Sequence, residues 1–219
     1  MLEILYKSPS AVIVYKPPGI ASQPDNSSKE DALTLTAELL VKQGEKSSLY
    51  PVHRLDLVVG GLLVIARTKN AAAELSAALS ADGIGKEYLA VCHGVPQSKS
   101  DRLCDLLYYD RGRGKSFVVD KKRAGVRRAE LEYTLKQSTS GLSLLAVKLF
   151  TGRTHQIRVQ FASRKNPLCG DRRYGAPKGE ASTPALLSHK LTFPHPTKHE
   201  VMTFVCEAPK AYPWNIFDI

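Results

Sequence analysis

The sequence has few cysteines, no long apolar run and a shortage of acidic residues, and each of these features narrows the class of protein. Its cysteines, Cys92, Cys104, Cys169 and Cys206, are far apart and form no CxxC pair, which argues against a zinc motif and favours reduced thiols. The longest apolar runs, such as LLVIA, have the length of a core strand and are too short to span a membrane. Because the first residues also lack the features of a signal peptide, we expect a cytoplasmic protein.

The shortage of acids leaves a strongly basic chain. Lys and Arg number 31 against 21 Asp and Glu in 219 residues, a formal charge of +10 that indicates an anionic partner. Residues 111–128 hold eight basic residues and one acid, and Tyr108, Tyr109 and Phe117 lie among or beside them. A solvated hairpin is the plain interpretation of such a run, but the clustering with aromatics favours a surface that follows phosphates. Glycines interrupt the run and no helical stripe is present, so a membrane surface is disfavoured.

Apolar patterns along the chain predict about seven strands and three helices. Strands are predicted over 11–16, 62–66, 86–94, 129–137, 142–150, 185–193 and 201–208. Helices are predicted over 32–43, 70–81 and 153–163, the first capped by Asp31 with Leu33, Ala37, Leu40 and Val41 on one face. Because strands outnumber helices and do not alternate with them, the fold class is α+β with a mostly antiparallel sheet.

An arginine and an aspartate suggest a charged pair. On a helix over 153–163, Arg153 shares a face with Ile157 and Phe161, and a guanidinium pointing along that side requires an anion. Asp56 stands at the mouth of a core strand in PVHRLDLVVGGLLVIA (51–66). Taken alone, Arg153 could reach into solvent and Asp56 could be a turn residue. Together they predict a pair that keeps Asp56 ionised, as a nucleophile or base requires.

Several motifs, in order, resemble the RluA-type pseudouridine synthase family. They are KPPGIASQP (16–24), HRLD (53–56) with GLLVIA (61–66), GKEYLAV (85–91), TGRTHQIR (151–158), NPLCGDRRYG (166–175) and SHKLTFPHP (188–196). The resemblance covers about residues 10–207. It implies a long, bent, mostly antiparallel sheet with flanking helices and a central basic cleft. It also implies an isomerase that converts uridine to pseudouridine in RNA without a cofactor.

The resemblance also implies roles for individual residues. Asp56 matches the family's essential aspartate, Tyr88 the tyrosine that stacks on the target base, and Arg153 the arginine that pairs with the aspartate. Arg54 matches an arginine that can fill the gap left when the uridine is flipped out, and flipping is needed because a stacked base is inaccessible. We expect further RNA contacts from the basic segment. These involve Lys121, Lys122, Arg123, Arg127 and Arg128.

No metal site is expected. His53, His155 and His189 belong to three separate predicted elements, so we interpret them as hydrogen-bonding residues of the scaffold. Asp171 is interpreted as a loop anchor and not as a second catalytic acid. The chain is expected to be a single catalytic domain over 1–219, monomeric, with no RNA-binding module in front of it.

Two alternative functions stay open at this stage. Where the family usually has a polar pair such as Thr-Ser, this chain has Val59-Gly60, which would suit a non-catalytic RNA-binding protein that retains the fold. Asp56, Tyr88 and Arg153 together oppose that alternative. A glycoside hydrolase using Asp56 is weaker, because such enzymes need two carboxylates and no second acid lies in a comparable motif. The favoured function is modification of ribosomal or transfer RNA.

Overall fold

The computed structural model describes residues 1–24, 30–81, 83–198 and 200–219, which fall into two compact units. The first unit comprises Met1–Lys86 and Ser188–Glu207, and the second comprises Glu87–Leu187 and Ala208–Ile219. The described residues contain eleven strands and three α-helices. The strand pairs with a defined register are antiparallel. The predicted α+β class is therefore confirmed.

The first unit is a sheet with two helices. Its strands are β1 (Glu3–Lys7), β2 (Ala11–Lys16), β3 (Tyr50–Pro51), β4 (Gly60–Ala66), most of β10 (Leu186–Pro194) and β11 (Val201–Val205). They lie in the order β1-β2-β4-β10-β11, and β3 also pairs with β4. Strands β2 and β4 are almost wholly buried, as their continuous apolar sequences require. The helices are α1 (Ala32–Lys42) and α2 (Lys69–Ser80).

The two helices begin where their polar caps predict. The Asp31 carboxylate accepts a hydrogen bond from the Thr34 backbone N–H at 2.9 Å, which confirms Asp31 as the cap of α1. Thr68 caps α2 in the same way. The face of α1 that packs inward differs from the predicted one. Its buried residues are Ala32, Thr36 and Leu40, and Val41 is exposed.

The core of the first unit lies between its sheet and α2. It is formed by Ile13, Leu62, Val64, Ala66, Ala71, Leu75, Ile84, Leu191 and Phe193, all almost fully buried. Tyr6 and Phe204 add a tilted ring contact and Phe193 stacks on Phe204. Because this core fixes β4, it also fixes the loop that enters β4, which carries the HRLD motif.

The second unit has a five-stranded order, β5-β9-β8-β6-β7, and one helix. Its strands are β5 (Gly85–His93), β6 (Ser100–Asp110), β7 (Lys115–Val119), β8 (Val126–Thr139) and β9 (Leu142–Leu149), and its helix is α3 (Gln156–Ser163). Most of β5 belongs to this unit. Leu107 and Ala129 on the sheet pack with Val159 on α3 and with Tyr174, and Tyr133 meets Phe161 edge to face.

Four strands were missed, and two predictions about α3 were wrong. Strands β1, β3, β6 and β7 were not predicted, and the last two were missed because charged residues and glycines obscure their alternation. Helix α3 begins at Gln156 and not at Arg153, because His155 adopts a left-handed backbone with φ 55°. Arg153 therefore does not lie on a helix face with Ile157 and Phe161, and the spacing argument made for it fails.

Candidate active site

The HRLD residues form an ordered loop that is tied to the KPPG turn. The Val59 N–H donates to the Asp56 carbonyl at 3.0 Å, which closes a turn directly after the aspartate. The Gly19 N–H donates to the Leu57 carbonyl at 2.8 Å, and this bond joins the loop to the turn after β2. Asp56 is half-buried. Its position is thus set by two backbone segments that the sequence separates by more than thirty residues.

A buried serine fixes the middle of the same loop. The Leu55 N–H donates to Ser22 Oγ at 2.9 Å, and Ser22 Oγ donates to the Leu55 carbonyl at 2.8 Å. Both residues are buried, whereas Arg54 is exposed. His53 Nε2 accepts from the Val64 N–H at 3.2 Å, and burial with the nearby Lys86 lowers the pKa of His53 to about 4. His53 is therefore a neutral scaffold residue, as the sequence predicted.

Lys16 is a functional candidate that the sequence analysis missed. Its side chain is fully buried, and its ammonium donates to the carbonyls of Ile20 at 2.7 Å, Pro17 at 3.2 Å and Leu57 at 3.5 Å. Burial lowers the pKa of Lys16 to about 8, and the charge of Asp56 opposes that decrease. A positive charge is thus held beneath the aspartate loop. The only signal in the sequence was a lysine closing an apolar strand.

The pKa of Lys16 predicts a pH dependence of stability. Between about pH 8 and 10.5 the unfolded chain retains a proton that folded Lys16 has released, so the contribution of Lys16 to the free energy of unfolding rises with pH in that window. This contribution should rise by about 3 kcal/mol in total. Buried cysteines with raised pKa values lower the free energy of unfolding over the same range, so urea unfolding at pH 7 and pH 10 should show the rise as a difference between the wild type and Lys16→Met. Lys42→Met, at an exposed position, is the control and should behave like the wild type. Parallel pH curves for the wild type and Lys16→Met would contradict the assignment.

The two glycines after Val59 allow close backbone approach. Gly61 has φ +117°, and a Cβ there would overlap the backbone of Ser188, so this position requires glycine. A Cβ on Gly60 would lie 3.0 Å from Pro18 Cδ. The position where the family usually has a polar residue is therefore pressed against the KPPG turn in this chain, and the turn contributes to the loop's support.

In the second unit, Tyr88 and Arg153 occupy different surroundings. Tyr88 lies on β5 and is 7% exposed. Arg153 lies on the exposed segment between β9 and α3, and its Nε donates to the Arg128 carbonyl at 2.9 Å. This bond orients the guanidinium without using its two outer nitrogens. Arg153 is therefore a positioned surface arginine, which suits a contact with an anionic group.

Gln156 organises the segment that carries Arg153. Its side-chain oxygen accepts from the Arg153 N–H at 3.0 Å and from Thr151 Oγ at 2.7 Å, while its amide nitrogen donates to the Glu130 carbonyl at 3.1 Å. Gln156 is buried, so these bonds are shielded from water. This role of Gln156 was not predicted from the sequence, although the TGRTHQ motif contains the residue.

A buried arginine–carboxylate pair in the second unit joins Arg158 and Asp171. Arg158 Nε and Nη2 donate to the two carboxylate oxygens at 2.7 and 2.9 Å, and both residues are almost fully buried. Asp171 precedes the short 3-10 turn Arg172–Tyr174, so its interpretation as a loop anchor is confirmed. Arg158 was missed, because nothing in the sequence marks which arginine of TGRTHQIR is buried.

Two further histidines form hydrogen bonds, His155 within the second unit and His189 within the first. Tyr174 Oη accepts from the Ser116 N–H at 2.8 Å and lies 2.9 Å from His155 Nδ1. In the first unit, His189 Nδ1 lies 2.6 Å from the Cys206 carbonyl, to which it donates. The predicted hydrogen-bonding role of His155 and His189 is therefore confirmed.

The basic segment forms part of a hairpin whose cations lie over aromatic rings. Tyr108 pairs with Phe117 across β6 and β7. Arg113 and Lys115 lie 5.9 and 5.7 Å from the Phe117 ring centroid, and Arg123 lies 4.8 Å from that of Tyr108. The five predicted RNA-contacting residues of this segment are all exposed, namely Lys121, Lys122, Arg123, Arg127 and Arg128. We call residues 108–128 the basic hairpin.

The basic hairpin is not uniformly free for a ligand. Arg128 forms an ion pair with Glu130 at 3.2 Å, and Arg102 pairs with the same carboxylate. Lys121, Lys122 and Arg123 follow Asp120 in the turn after β7.

In the described part of the chain, no helix is long and apolar enough to cross a membrane.

Comparison with known proteins decides the family. Residues 10–163 match the family described as RNA pseudouridylate synthase. The chain belongs to this family. It is 32% identical to the dual-specificity RNA pseudouridine synthase RluA of Escherichia coli K12 over 94% of this chain and 93% of that protein. It is 31% identical to the ribosomal large subunit pseudouridine synthase D of Xanthomonas campestris over 95% of this chain and 66% of that protein.

Solved structures of the family share the fold. The chain superposes on human RNA Pseudouridylate Synthase Domain Containing 4 with a TM-score of 0.78 and 21% identity, covering 94% of this chain and 88% of that one. For human RNA Pseudouridylate Synthase Domain Containing 1 the TM-score is 0.76 and the identity 22%, with 96% and 85% covered. The resemblance to RluA-type enzymes is therefore confirmed, and the chain is an RNA pseudouridine synthase, an isomerase.

Proposed function

We propose that this enzyme converts uridine to pseudouridine at specific positions in structured ribosomal or transfer RNA, and that the Asp56 carboxylate is essential for the reaction. The observation that carries the proposal is the Asp56 loop. It is closed by the Asp56–Val59 turn, bound to the KPPG turn through Leu57 and underlain by the buried ammonium of Lys16. A carboxylate on such a loop is held in place beside a buried cation.

The reaction needs no external redox partner. The bond between N1 of uracil and C1′ of ribose breaks, the base rotates, and C5 bonds to C1′. The proton on C5 then leaves and N1 gains one, so the product is an isomer of the substrate. We propose that Asp56 supplies the charge or the nucleophile for the first bond cleavage, by attack on the sugar, by attack on the base or by removal of a ribose proton. Each route requires the ionised carboxylate.

Three further residues are assigned to the same uridine. We propose that Tyr88 stacks on the base, that Arg153 pairs with the Asp56 carboxylate, and that Arg54 fills the space vacated by the flipped nucleotide. Support for Arg153 comes from the bonds that orient its backbone and its Nε. Support for Arg54 is its exposure next to the aspartate. In this proposal the two compact units act as one catalytic domain, in the cytoplasm and as a monomer.

The name of the Xanthomonas relative favours ribosomal RNA as the target, and the dual specificity in the name of the Escherichia coli relative favours more than one target. Mapping pseudouridine across ribosomal and transfer RNA in cells with and without this gene would identify the substrate. We expect one or more positions to lose the modification completely. No change at any position in either RNA class would refute this choice of substrate.

A non-catalytic RNA-binding function is the second candidate, because Val59-Gly60 replaces the family's polar pair. Release of tritium from uracil labelled at C5 distinguishes the two functions. We expect release from the RNA identified by mapping. If the purified enzyme binds that RNA and releases no tritium, the non-catalytic function is correct.

The basic hairpin predicts a strong salt dependence of RNA binding. Replacing Lys121, Lys122 and Arg123 by Gln should reduce the slope of log affinity against log salt by about 2 to 3, because each phosphate contact contributes about 0.7 to 0.9. Nitrocellulose filter binding at several salt concentrations measures the slope. The control removes equal charge at Lys42, Lys136 and Lys210, which are exposed at separate places. If both triple variants change the slope equally, the effect comes from net charge and the hairpin is not the contact surface.

A further inference from the structure

Three side chains with metal-binding atoms meet in the second unit, and none of them is assigned to catalysis. They are His93, Cys169 and Glu180, and their nitrogen, sulfur and oxygen atoms all lie within 4.8 Å of one another. His93 Nε2 lies 2.9 Å from Glu180 Oε2, and Cys169 Sγ lies 3.5 Å from the same oxygen. Cys169 is fully buried, whereas the side chains of His93 and Glu180 are each 21% exposed, so an ion could reach them from solvent.

The backbone holds two of these residues in place. Cys92 and Leu168 form an antiparallel bridge, with the His93 N–H donating to the Pro167 carbonyl at 2.9 Å and the Cys169 N–H to the Val91 carbonyl at 2.8 Å. On its other side, the Cys169 carbonyl accepts from the Ala185 N–H at 2.8 Å. His93 and Cys169 are therefore carried by paired segments that cannot separate without breaking these bonds.

The third residue is brought in by a tightly packed loop. Gly170 has φ +78°, and a Cβ there would overlap the carbonyl oxygens of Thr183 and Ala181. The loop after Gly175 can thus lie directly against the residue that follows Cys169, and this packing places Glu180 beside the thiol. The glycine is required for both its backbone angle and its lack of a side chain.

Two of the three distances between these atoms are close to the separations that zinc requires. Zinc binds His nitrogen and carboxylate oxygen at about 2.0–2.2 Å and Cys sulfur at about 2.3 Å in a tetrahedron, so its ligand atoms lie about 3.3–3.6 Å apart. The observed 2.9 and 3.5 Å differ from those separations by a few tenths of an ångström. One nitrogen, one thiolate and one carboxylate form a donor set of the kind that zinc prefers over calcium or magnesium.

We propose that His93, Cys169 and Glu180 bind one Zn²⁺ ion. The fourth position would be taken by water or by the hydroxyl of Tyr212, which forms a hydrogen bond with the Cys169 side chain. The site is structural in this proposal, because it joins the end of β5, which carries Tyr88, to the loop around Glu180. Sequence spacing conceals it, since its ligands lie 76 and 11 residues apart and form none of the usual short motifs.

Titration of the full-length, metal-free protein with Zn²⁺ tests the proposal. We expect one equivalent to bind in competition with a chromophoric chelator. Co²⁺ in place of Zn²⁺ should give the intense visible bands of tetrahedral cobalt and a thiolate charge-transfer band. Cys169→Ser should remove the charge-transfer band, and His93→Gln and Glu180→Gln should each weaken binding by about a hundredfold or more.

Cys104→Ser is the matched control, because Cys104 is an exposed free cysteine outside the trio. It should bind Zn²⁺ like the wild type. Circular dichroism of each variant identifies any that fails to fold, and Glu180→Gln on its loop is the least disruptive of the three. The proposal is wrong if the wild type binds no Zn²⁺ at micromolar concentration, or if Glu180→Gln and Cys169→Ser bind as tightly as Cys104→Ser.

Discussion

Asp56→Asn should abolish pseudouridine formation while leaving the fold and RNA affinity nearly unchanged. The substitution keeps the size of the side chain and removes its charge and basicity, which every proposed route for the aspartate requires. The loop itself should survive, because its closing bonds use the backbone of Asp56, Leu57 and Val59 together with Ser22, and none of those bonds needs the carboxylate. Loss of activity by at least about a thousandfold corresponds to about 4 kcal/mol of lost transition-state stabilisation.

The measurement compares product formation and binding on the same RNA. Nucleoside analysis after digestion gives the amount of pseudouridine, and filter binding gives the affinity. Asp101→Asn, at an exposed position on β6, removes the same charge elsewhere and should retain full activity. The assignment fails if Asp56→Asn forms product at near wild-type rates. Loss of RNA binding in parallel with activity would show instead that Asp56 contributes to affinity.

The largest effect on stability is expected for Asp171→Ala. This substitution leaves the Arg158 guanidinium buried without the carboxylate that accepts two of its hydrogen bonds. Removal of one member of a buried ion pair costs about 3–5 kcal/mol, which is a large part of the stability of an ordinary domain. The loss should appear in urea unfolding of the purified protein as a lower midpoint with a similar slope.

Two comparisons separate a buried charge from a simple loss of contacts. Replacing both partners, with Arg158→Met and Asp171→Leu, should recover much of the loss because no charge is then stranded. Asp110→Ala breaks an exposed pair with Arg113 and should cost less than about 1 kcal/mol. If Asp171→Ala costs no more than Asp110→Ala, the pair contributes little and the turn is held by its other bonds.

The sequence predicted what depends on short-range patterns. The apolar strands β2, β4, β5, β9 and β10 and the cap of α1 at Asp31 follow from neighbouring residues. These predictions rest on residues within a few positions of one another. The site motifs were found in another way, because their order along the whole chain resembles that of a known family.

What could not be predicted depends on contacts between distant segments. Helix α3 begins late because His155 turns left-handed and its ring meets Tyr174, a residue almost twenty positions away. No spacing rule predicts that Arg158 pairs with Asp171. Lys16 is buried because two separate turns offer it carbonyl groups. Polar residues of this kind are placed by the tertiary structure, which hydrophobic periodicity does not describe.

The most direct test of the central claim, that this RNA pseudouridine synthase depends on Asp56, is a rescue experiment. Cells lacking the gene would receive either the wild-type gene or the Asp56→Asn variant at equal protein levels. The measured quantity is the fraction of pseudouridine at each RNA position that the deletion had lost. We predict full restoration by the wild type and none by Asp56→Asn. Restoration by Asp56→Asn to the wild-type level would contradict the account.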